Sequence, residues 1–318
     1  MTRVRTVLPT DLVALVAYDG RVYPNESVTR DRAGTTASPH PLEAALEQWF
    51  SFATGRHTWI SVKGATLRGL VSARRRGTRA AWEVDCLIDA AEDDTNVLIS
   101  LLNKVAADAG RTGAQKVFLR IAAESPVLQT ACASGFSSYN RERLLVLHTD
   151  DRAPSSGPEP AGLRRWARGD AYRAYQLYNR WTPEPVRHIE AATFAEWQAA
   201  GERVSPPRGT HQRVVERDGR IAGWLRTAAV GDVGRFDLMA DPSDTGLLDS
   251  LIDAALTRLR DQALLLTLVP SFAGGLRERL LDRGFEEREE YVVLARRTAQ
   301  PVPARAPELA PAAPATLA

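Results

Sequence analysis

Thr95-Asn96-Val97-Leu98-Ile99-Ser100-Leu101-Leu102-Asn103-Lys104-Val105 is matched in pattern by Thr245-Gly246-Leu247-Leu248-Asp249-Ser250-Leu251-Ile252-Asp253-Ala254-Ala255. Apolar residues stand at 97, 98, 101, 102, 105, 106 and 109, and adding 150 gives apolar residues again at 247, 248, 251, 252, 255, 256 and 259. That spacing is one stripe of an amphipathic helix. Each helix follows an apolar strand ending in aspartate: Val84-Asp85-Cys86-Leu87-Ile88-Asp89, and Phe236-Asp237-Leu238-Met239-Ala240-Asp241. A strand that runs into the N-terminus of a long helix makes an anion-binding corner, because the first helical amides lack partners.

Working outward, the first half predicts a strand from Arg3 to Leu8 and a helix capped by Thr10 with Leu12, Leu15 and Val16 on its apolar face. Tyr23 to Pro41, rich in Pro, Gly, Ser and Thr, reads as a long mobile loop, and Pro41 to Phe52 as a second helix burying Leu42, Leu46, Trp49 and Phe50. Three strands follow, His57 to Lys63, Leu67 to Arg75 and Ala80 to Asp89. After the long helix come an apolar strand, Lys116 to Ile121, a short helix ending at Gly135, and last strands that include Leu144 to Leu147.

His148 to Gly162 has the composition of a linker, and the pattern then restarts. Leu163 to Trp166 is a strand, Asp170 caps a helix through Tyr178, Trp181 to His188 is a loop, and Thr193 to Ala200 is a helix. Gln212 to Arg217 and Arg220 to Val230 form a hairpin about Asp218-Gly219. The pair Gly135-Phe136 recurs as Gly284-Phe285, and Gly69-Leu70 as Gly223-Trp224. The expected organisation is a first domain over 1–150, a linker over 151–160, a second domain over 161–298 and a disordered Pro/Ala-rich tail over 299–318. The fold class is α+β, with a mixed sheet in each of two tandem domains.

With 44% hydrophobic and 25% charged residues and a net charge of +2, the chain reads as globular, with no bulk electrostatic case for nucleic acid or a membrane surface. Arg74-Arg75-Arg76 reads as a solvated hairpin end. Cys86 and Cys132 form no metal or redox pair and read as reduced, core-filling thiols. The short apolar start, broken by Asp11, is neither a signal peptide nor a membrane span, so the cytoplasm is the expected address. The five histidines lack metal-site spacing, so no metal is expected.

Strand, two helices, three antiparallel strands, helix, strand, helix and two strands, twice over, resembles the GCN5-related N-acetyltransferase family. The local cues are Ile88-Asp89-Ala90 and Ala240-Asp241-Pro242 at the fourth strand's end, and the two Gly-Phe pairs. The resemblance implies acetyl-CoA or another acyl-CoA bound where the fourth and fifth strands splay, with the pyrophosphate on backbone N–H groups at the third helix. It places cofactor contacts at Met239, Thr245, Gly246, Leu247 and Leu248, and an amine acceptor, small molecule or peptide, nearby.

Both copies depart from the family's Gln/Arg-x-x-Gly-x-Gly/Ala motif. The first reads Asp93-Asp94-Thr95-Asn96-Val97-Leu98 after Glu92. Acids at a helix start stabilise the helix by roughly 0.3–1 kcal/mol each, but a diphosphate meets about 1 kcal/mol of repulsion per contact in water and about 4 at an effective dielectric of 20. The first domain therefore reads as closed to CoA. The second keeps Gly246, with Leu248 at the final small position and no basic residue. Where the family often places an Asn and, seven residues on, a proton-donating Tyr, the copies carry Glu124 and Ala131, and Ala273 and Leu280.

A general base is sought among carboxylates near the acceptor. Asp237, with Glu83 and Asp85, lies on a fourth strand, where each also reads as an ordinary outward-facing residue. Glu190, with Arg187 and His188, sits where the family's acceptor loop lies, or simply in an exposed loop. Tyr172, Tyr175, Tyr178 and Trp181 share a helix face that suits a core or domain interface better than a ligand site. The leading expectation is an N-acyltransferase working through the second domain, as monomer or homodimer. The alternative is a tandem protein without CoA chemistry that binds a metabolite, peptide or protein.

Overall fold

The computed structural model describes residues 3–6, 23–34, 56–63, 66–91, 94–148, 159–202, 209–244 and 246–299. The expected helices at Thr10 and at 41–52, most of the linker, Thr245 and the tail beyond 299 lie outside them. The first half supplies β1 (Arg3–Thr6), β2 (His57–Lys63), β3 (Thr66–Arg75), β4 (Ala81–Asp89), α1 (Thr95–Arg111), β5 (Lys116–Ala122), α2 (Val127–Ala133) and β6 (Ser137–His148). The second supplies β7 (Leu163–Arg165), a 3-10 turn (Arg168–Asp170), α3 (Ala171–Trp181), α4 (Glu184–Glu190), α5 (Phe194–Ala200), β8 (His211–Arg217), β9 (Arg220–Val230), β10 (Val233–Ala240), α6 (Leu247–Arg258), β11 (Leu264–Pro270), α7 (Gly274–Leu281) and β12 (Glu286–Arg297).

The duplicated stripe does what its spacing requires. α1 buries Val97, Leu98, Leu101, Leu102, Val105, Ala106 and Ala109 against the sheet, and α6 buries Leu247, Leu251, Ile252, Ala255 and Leu256. Each fully buried Leu or Ile contributes about 1.5–3 kcal/mol. The recurring glycines let these helices approach. A Cβ on Gly69 would lie 3.0 Å from Leu101 Cδ1, and one on Gly223 3.0 Å from Leu251 Cδ1. Gly135 and Gly284 take φ of 81° and 87°, the left-handed turn that ends α2 and α7 and drops Phe136 and Phe285 into the core.

All twelve strands form one sheet in the order β1-β2-β3-β4-β5-β12-β6-β11-β10-β9-β8-β7. From either edge inward the two halves repeat each other as far as the parallel strand, β5 or β11. There the last strands change places: β12 pairs with β5, and β6 pairs with β11. β6 and β12 then pair with each other at the centre. The exchange sets residues of β6 beside the second half's parallel strand.

Each half also contains a wedge. β4 pairs with β5 in parallel only from Ala81↔Lys116 to Glu83↔Phe118, and β10 with β11 only from Val233↔Leu264 to Arg235↔Leu266. Beyond those three pairs the strands diverge.

Trp181 to His188 is not the loop the sequence suggested. Pro183 and Pro185 flank the first turn of α4, where a missing N–H costs nothing. Of the segment read as a mobile loop, residues 23–34 lie against the sheet, with Ser27, Thr29 and Ala33 buried and Pro24, Asn25 and Gly34 exposed. Cys86 is half-buried, packed against the Ile60, Leu67 and Leu70 cluster, whereas Cys132 is exposed rather than core-filling, and neither forms a disulfide.

Candidate functional site

The two wedges differ in what fills them. In the first, residues 25–28 run between β4 and β5. Glu26 N donates to Leu87 O at 2.8 Å, Leu87 N to Asn25 Oδ1 at 2.8 Å, and Ser27 Oγ to Val84 O at 2.6 Å. Val28 N donates across to Arg120 O at 2.9 Å, and Ser27 bridges to Ile121. The protein's own backbone thus takes the place of a strand there. In the second wedge, no strand pairs with Phe236–Ala240 on the β11 side among the described residues.

That wedge opens on a cavity of about 410 Å³. Its walls come from both halves: Leu238 and Met239 of β10, Thr267 and Leu268 of β11, Trp181 of α3, Glu190 of α4, Trp197 of α5, and Asn140 and Glu142 of β6. The exchanged strand and Arg30 bring first-half side chains into the second half's site.

Glu190 ends α4 on the cavity wall. Lys116 of β5 donates to the backbone oxygens of Ile189 at 2.8 Å and Glu190 at 3.2 Å, a cation at the helix's negative end. Tyr178 Oη donates to Glu190 Oε2 at 2.8 Å and Tyr139 Oη to Oε1 at 3.5 Å. Burial pushes the Glu190 carboxyl above its ordinary value, and the Tyr178 hydrogen bond only partly opposes this. Burial, together with the negative Glu190, likewise raises the Tyr178 and Tyr139 phenols.

Asp237 lies on the same cavity with its side chain 18% exposed. It is Arg226's direct cross-strand partner, takes Arg226 Nη2 at 2.7 Å, and takes Arg30 Nη1 at 2.6 Å. Burial alone would raise its carboxyl, but Arg226 and Arg30 outweigh burial and hold it below the ordinary value. Asp237 is thus a charged anchor, and Glu190 is the stronger base.

The outward-facing reading of the fourth-strand acids is overturned. Glu83 and Asp85 are buried, Glu83 against Arg74 at 2.6 Å and Asp85 against Arg56 at 2.6 Å. Arg74 and Arg76, read as a solvated hairpin end, are buried too. Arg74 of β3 meets Asp31, and Arg76, one residue past the strand's end, meets Glu202, at 3.0 Å each. Arg30 meets Glu142 at 2.8 Å and also pairs with Glu202, and Arg120 meets Glu142 at 2.9 Å and Glu202 at 2.7 Å. Arg30, Arg120, Glu142, Glu202 and Arg226 were not singled out in the sequence. The signal was present in Arg120, a lone charge inside Val117-Phe118-Leu119-Arg120-Ile121.

Among the other expected site residues, Met239 lines the cavity, while Gly246, Leu247 and Leu248 begin α6 outside it. Leu247 is core, Leu248 half-buried, Gly246 exposed, and a Cβ at Gly246 would meet nothing within 4 Å. The acids at this helix start have basic partners from elsewhere: Arg180 at 2.7 Å from Asp241, Arg217 on Asp244, and Arg279 at 3.0 Å from Asp249. Arg187 donates to Thr182 O at 3.0 Å and His188 is exposed, so neither faces the cavity. Tyr178 is core, in a cluster with Ala81 and Phe118 of the first half on which Tyr175 also packs, as its reading as core or interface expected; Tyr178 and half-buried Trp181 face the cavity as well, and Tyr172 is exposed.

No family model and no curated relative matches the sequence. Solved structures do. A GCN5-related N-acetyltransferase from Sphaerobacter thermophilus superposes with a TM-score of 0.56 at 15% identity, covering 94% of this chain and 97% of that one. A tandem GNAT protein from the clavulanic acid biosynthesis pathway, solved without AcCoA, gives 0.52 at 14% identity, covering 95% and 100%. The chain has the tandem GCN5-related N-acetyltransferase fold. In that fold β4 with β5 and β10 with β11 are the splayed pairs, and α1 and α6 are the helices that follow β4 and β10. Leu280, where the motif tyrosine stands, is fully buried core here. Among the described residues no cluster of His, Cys, Asp and Glu is arranged to hold a metal ion, and no helix is long and apolar enough to cross a membrane.

Proposed function

We propose that the protein is an acyl-CoA-dependent N-acyltransferase that works through the wedge of its second half. One contrast supports this reading: the first wedge is filled by residues 25–28, while among the described residues Phe236–Ala240 keep an unpaired edge facing a cavity that carries Glu190. An acyl-pantetheine arm is an extended chain with two amides, so it suits such an edge as an added strand. The diphosphate would lie over the start of α6, where Gly246 leaves open space and each neighbouring carboxylate is offset by an arginine.

Glu190 accepts the proton that the acceptor amine sheds. The nitrogen's lone pair then attacks the thioester carbonyl, the new C–N bond replaces the C–S bond, and the sulfur leaves as a thiolate that takes up the second proton lost by the nitrogen as it becomes an amide. A carboxyl raised by burial is a better base for this step than an ordinary one. Calorimetric titration with acetyl-CoA tests the reading, with one site per chain expected. No heat at millimolar acetyl-CoA would end it. Leu280 in place of the tyrosine favours a second reading, ligand binding without turnover. Amide formation from any amine in a panel would exclude that alternative.

A further inference from the structure

We propose that the cavity selects a compact organic monocation, a single ammonium on an aromatic or aliphatic body, over a polyamine. This rests on the acyltransferase reading for calling that molecule the acceptor, but not for its binding.

The charge pattern supplies the first reason. Arg30, Arg74, Arg76, Arg120 and Arg226 form ion pairs with Asp31, Glu83, Glu142, Glu202 and Asp237, five cations against five anions. Glu190, on the cavity wall, makes no ion pair among the described residues: its side-chain hydrogen bonds come from two neutral phenols, and Arg76, whose charge reaches it, is itself paired with Glu83 and Glu202. One carboxylate is therefore left for a ligand, which matches one positive charge. A second ammonium would meet acids already held by guanidinium groups. Of the other cations nearby, Lys116 is held by the Ile189 and Glu190 backbone oxygens and by Glu196 at 3.1 Å, Arg187 donates to Thr182 O, and Arg235 donates to Arg30 O at 3.2 Å and lines a separate small void.

The aromatic walls supply the second. Trp166, Trp181, Trp197 and Trp224 line the cavity, four of the chain's seven tryptophans, and all four are half-buried. By contrast Trp59 and Trp82 are sealed in the core. A half-buried indole offers its face to an apolar body or a cation. The Arg226 guanidinium already stands 5.4 Å from the Trp224 ring centre. A volume near 410 Å³ is that of a small-molecule site.

Tryptophan fluorescence and calorimetry on the full chain, with and without saturating CoA, test the inference. The probes are 2-phenylethylamine, its neutral counterpart 2-phenylethanol, and spermidine. We expect 2-phenylethylamine to bind about tenfold more tightly than 2-phenylethanol, and Glu190→Gln to erase that difference while leaving the alcohol's affinity unchanged. Equal affinity for amine and alcohol, absence of amine binding, or tighter binding of spermidine would overturn it. The two readings fail separately. Amine binding by a protein that takes no acetyl-CoA keeps this inference and removes the acyltransferase. Turnover on spermidine alone does the reverse.

Discussion

Arg120 on β5 donates to Glu202 at 2.7 Å across 82 positions of sequence, joining the first half to the second beside the cavity. Arg30 and Arg76 converge on the same carboxylate, which they and Arg120 hold well below its ordinary value against the opposing effect of burial. Glu202→Ala would leave three guanidinium groups without it. We expect a loss of about 3–5 kcal/mol in denaturant unfolding, with Glu202→Gln intermediate.

Acid should weaken the fold through Asp170. This buried carboxylate takes Arg164 at 2.7 Å, Arg173 at 2.7 Å and the Ala167 amide at 2.7 Å, and the Arg164 hydrogen bond is the largest cause holding it down to about 2. Its folded value lies below its unfolded one. The stability it supplies is therefore complete above about pH 4 and is lost as pH falls toward 2. Unfolding midpoints from pH 5 to 2 should fall more steeply for the native chain than for Asp170→Asn.

Glu190 carries the opposite sign. Burial raises its folded value, so its contribution to stability is present at low pH and is lost as pH climbs through that raised value. Glu190→Gln should melt at the same or higher temperature at pH 8, yet lose about 10²–10⁴ in kcat. The native rate should rise with pH through the Glu190 titration. A melting loss matching the activity loss would show a structural role instead.

Asn25 holds the filled wedge shut through the Leu87 amide at 2.8 Å, the Ser27 amide at 3.0 Å and Asp85 O at 3.3 Å. Asn25→Ala should cost about 1–3 kcal/mol and leave acetyl-CoA binding at one site per chain. A second site by calorimetry in this variant would show that residues 25–28 alone were closing the first wedge.

Separate halves should not fold. With β12 taken from β5 and β6 from β11, each fragment exposes unpaired apolar strand edges. Residues 1–150 or 159–299 expressed alone should aggregate, whereas co-expression should return a folded pair, measured by light scattering and circular dichroism.

Much of this architecture was legible. The stripe at 97–109 and its copy at 247–259 located the helices, and Asp218-Gly219, with φ of 49° and 73°, located the hairpin. The strand exchange was not legible, because Leu144-Leu145-Val146-Leu147 suits any buried strand neighbour equally well. The charged centre was missed for a related reason. Arg74, Arg76 and Glu83 look like surface residues until the sheet is assembled, since their partners Asp31 and Glu202 are remote in the chain. Glu190 and Asp237 were both on the page as weak candidates, and only folding shows that one is free to take a proton while the other is held by two arginines.

The reciprocal trade of β6 and β12 also constrains ancestry. In a forebear carrying one copy of this repeat, the same pairing would require each chain to lend its last strand to a twin. The present polypeptide has the connectivity of an interlocked homodimer joined into one chain, so a change in either last strand acts on the other copy's parallel strand.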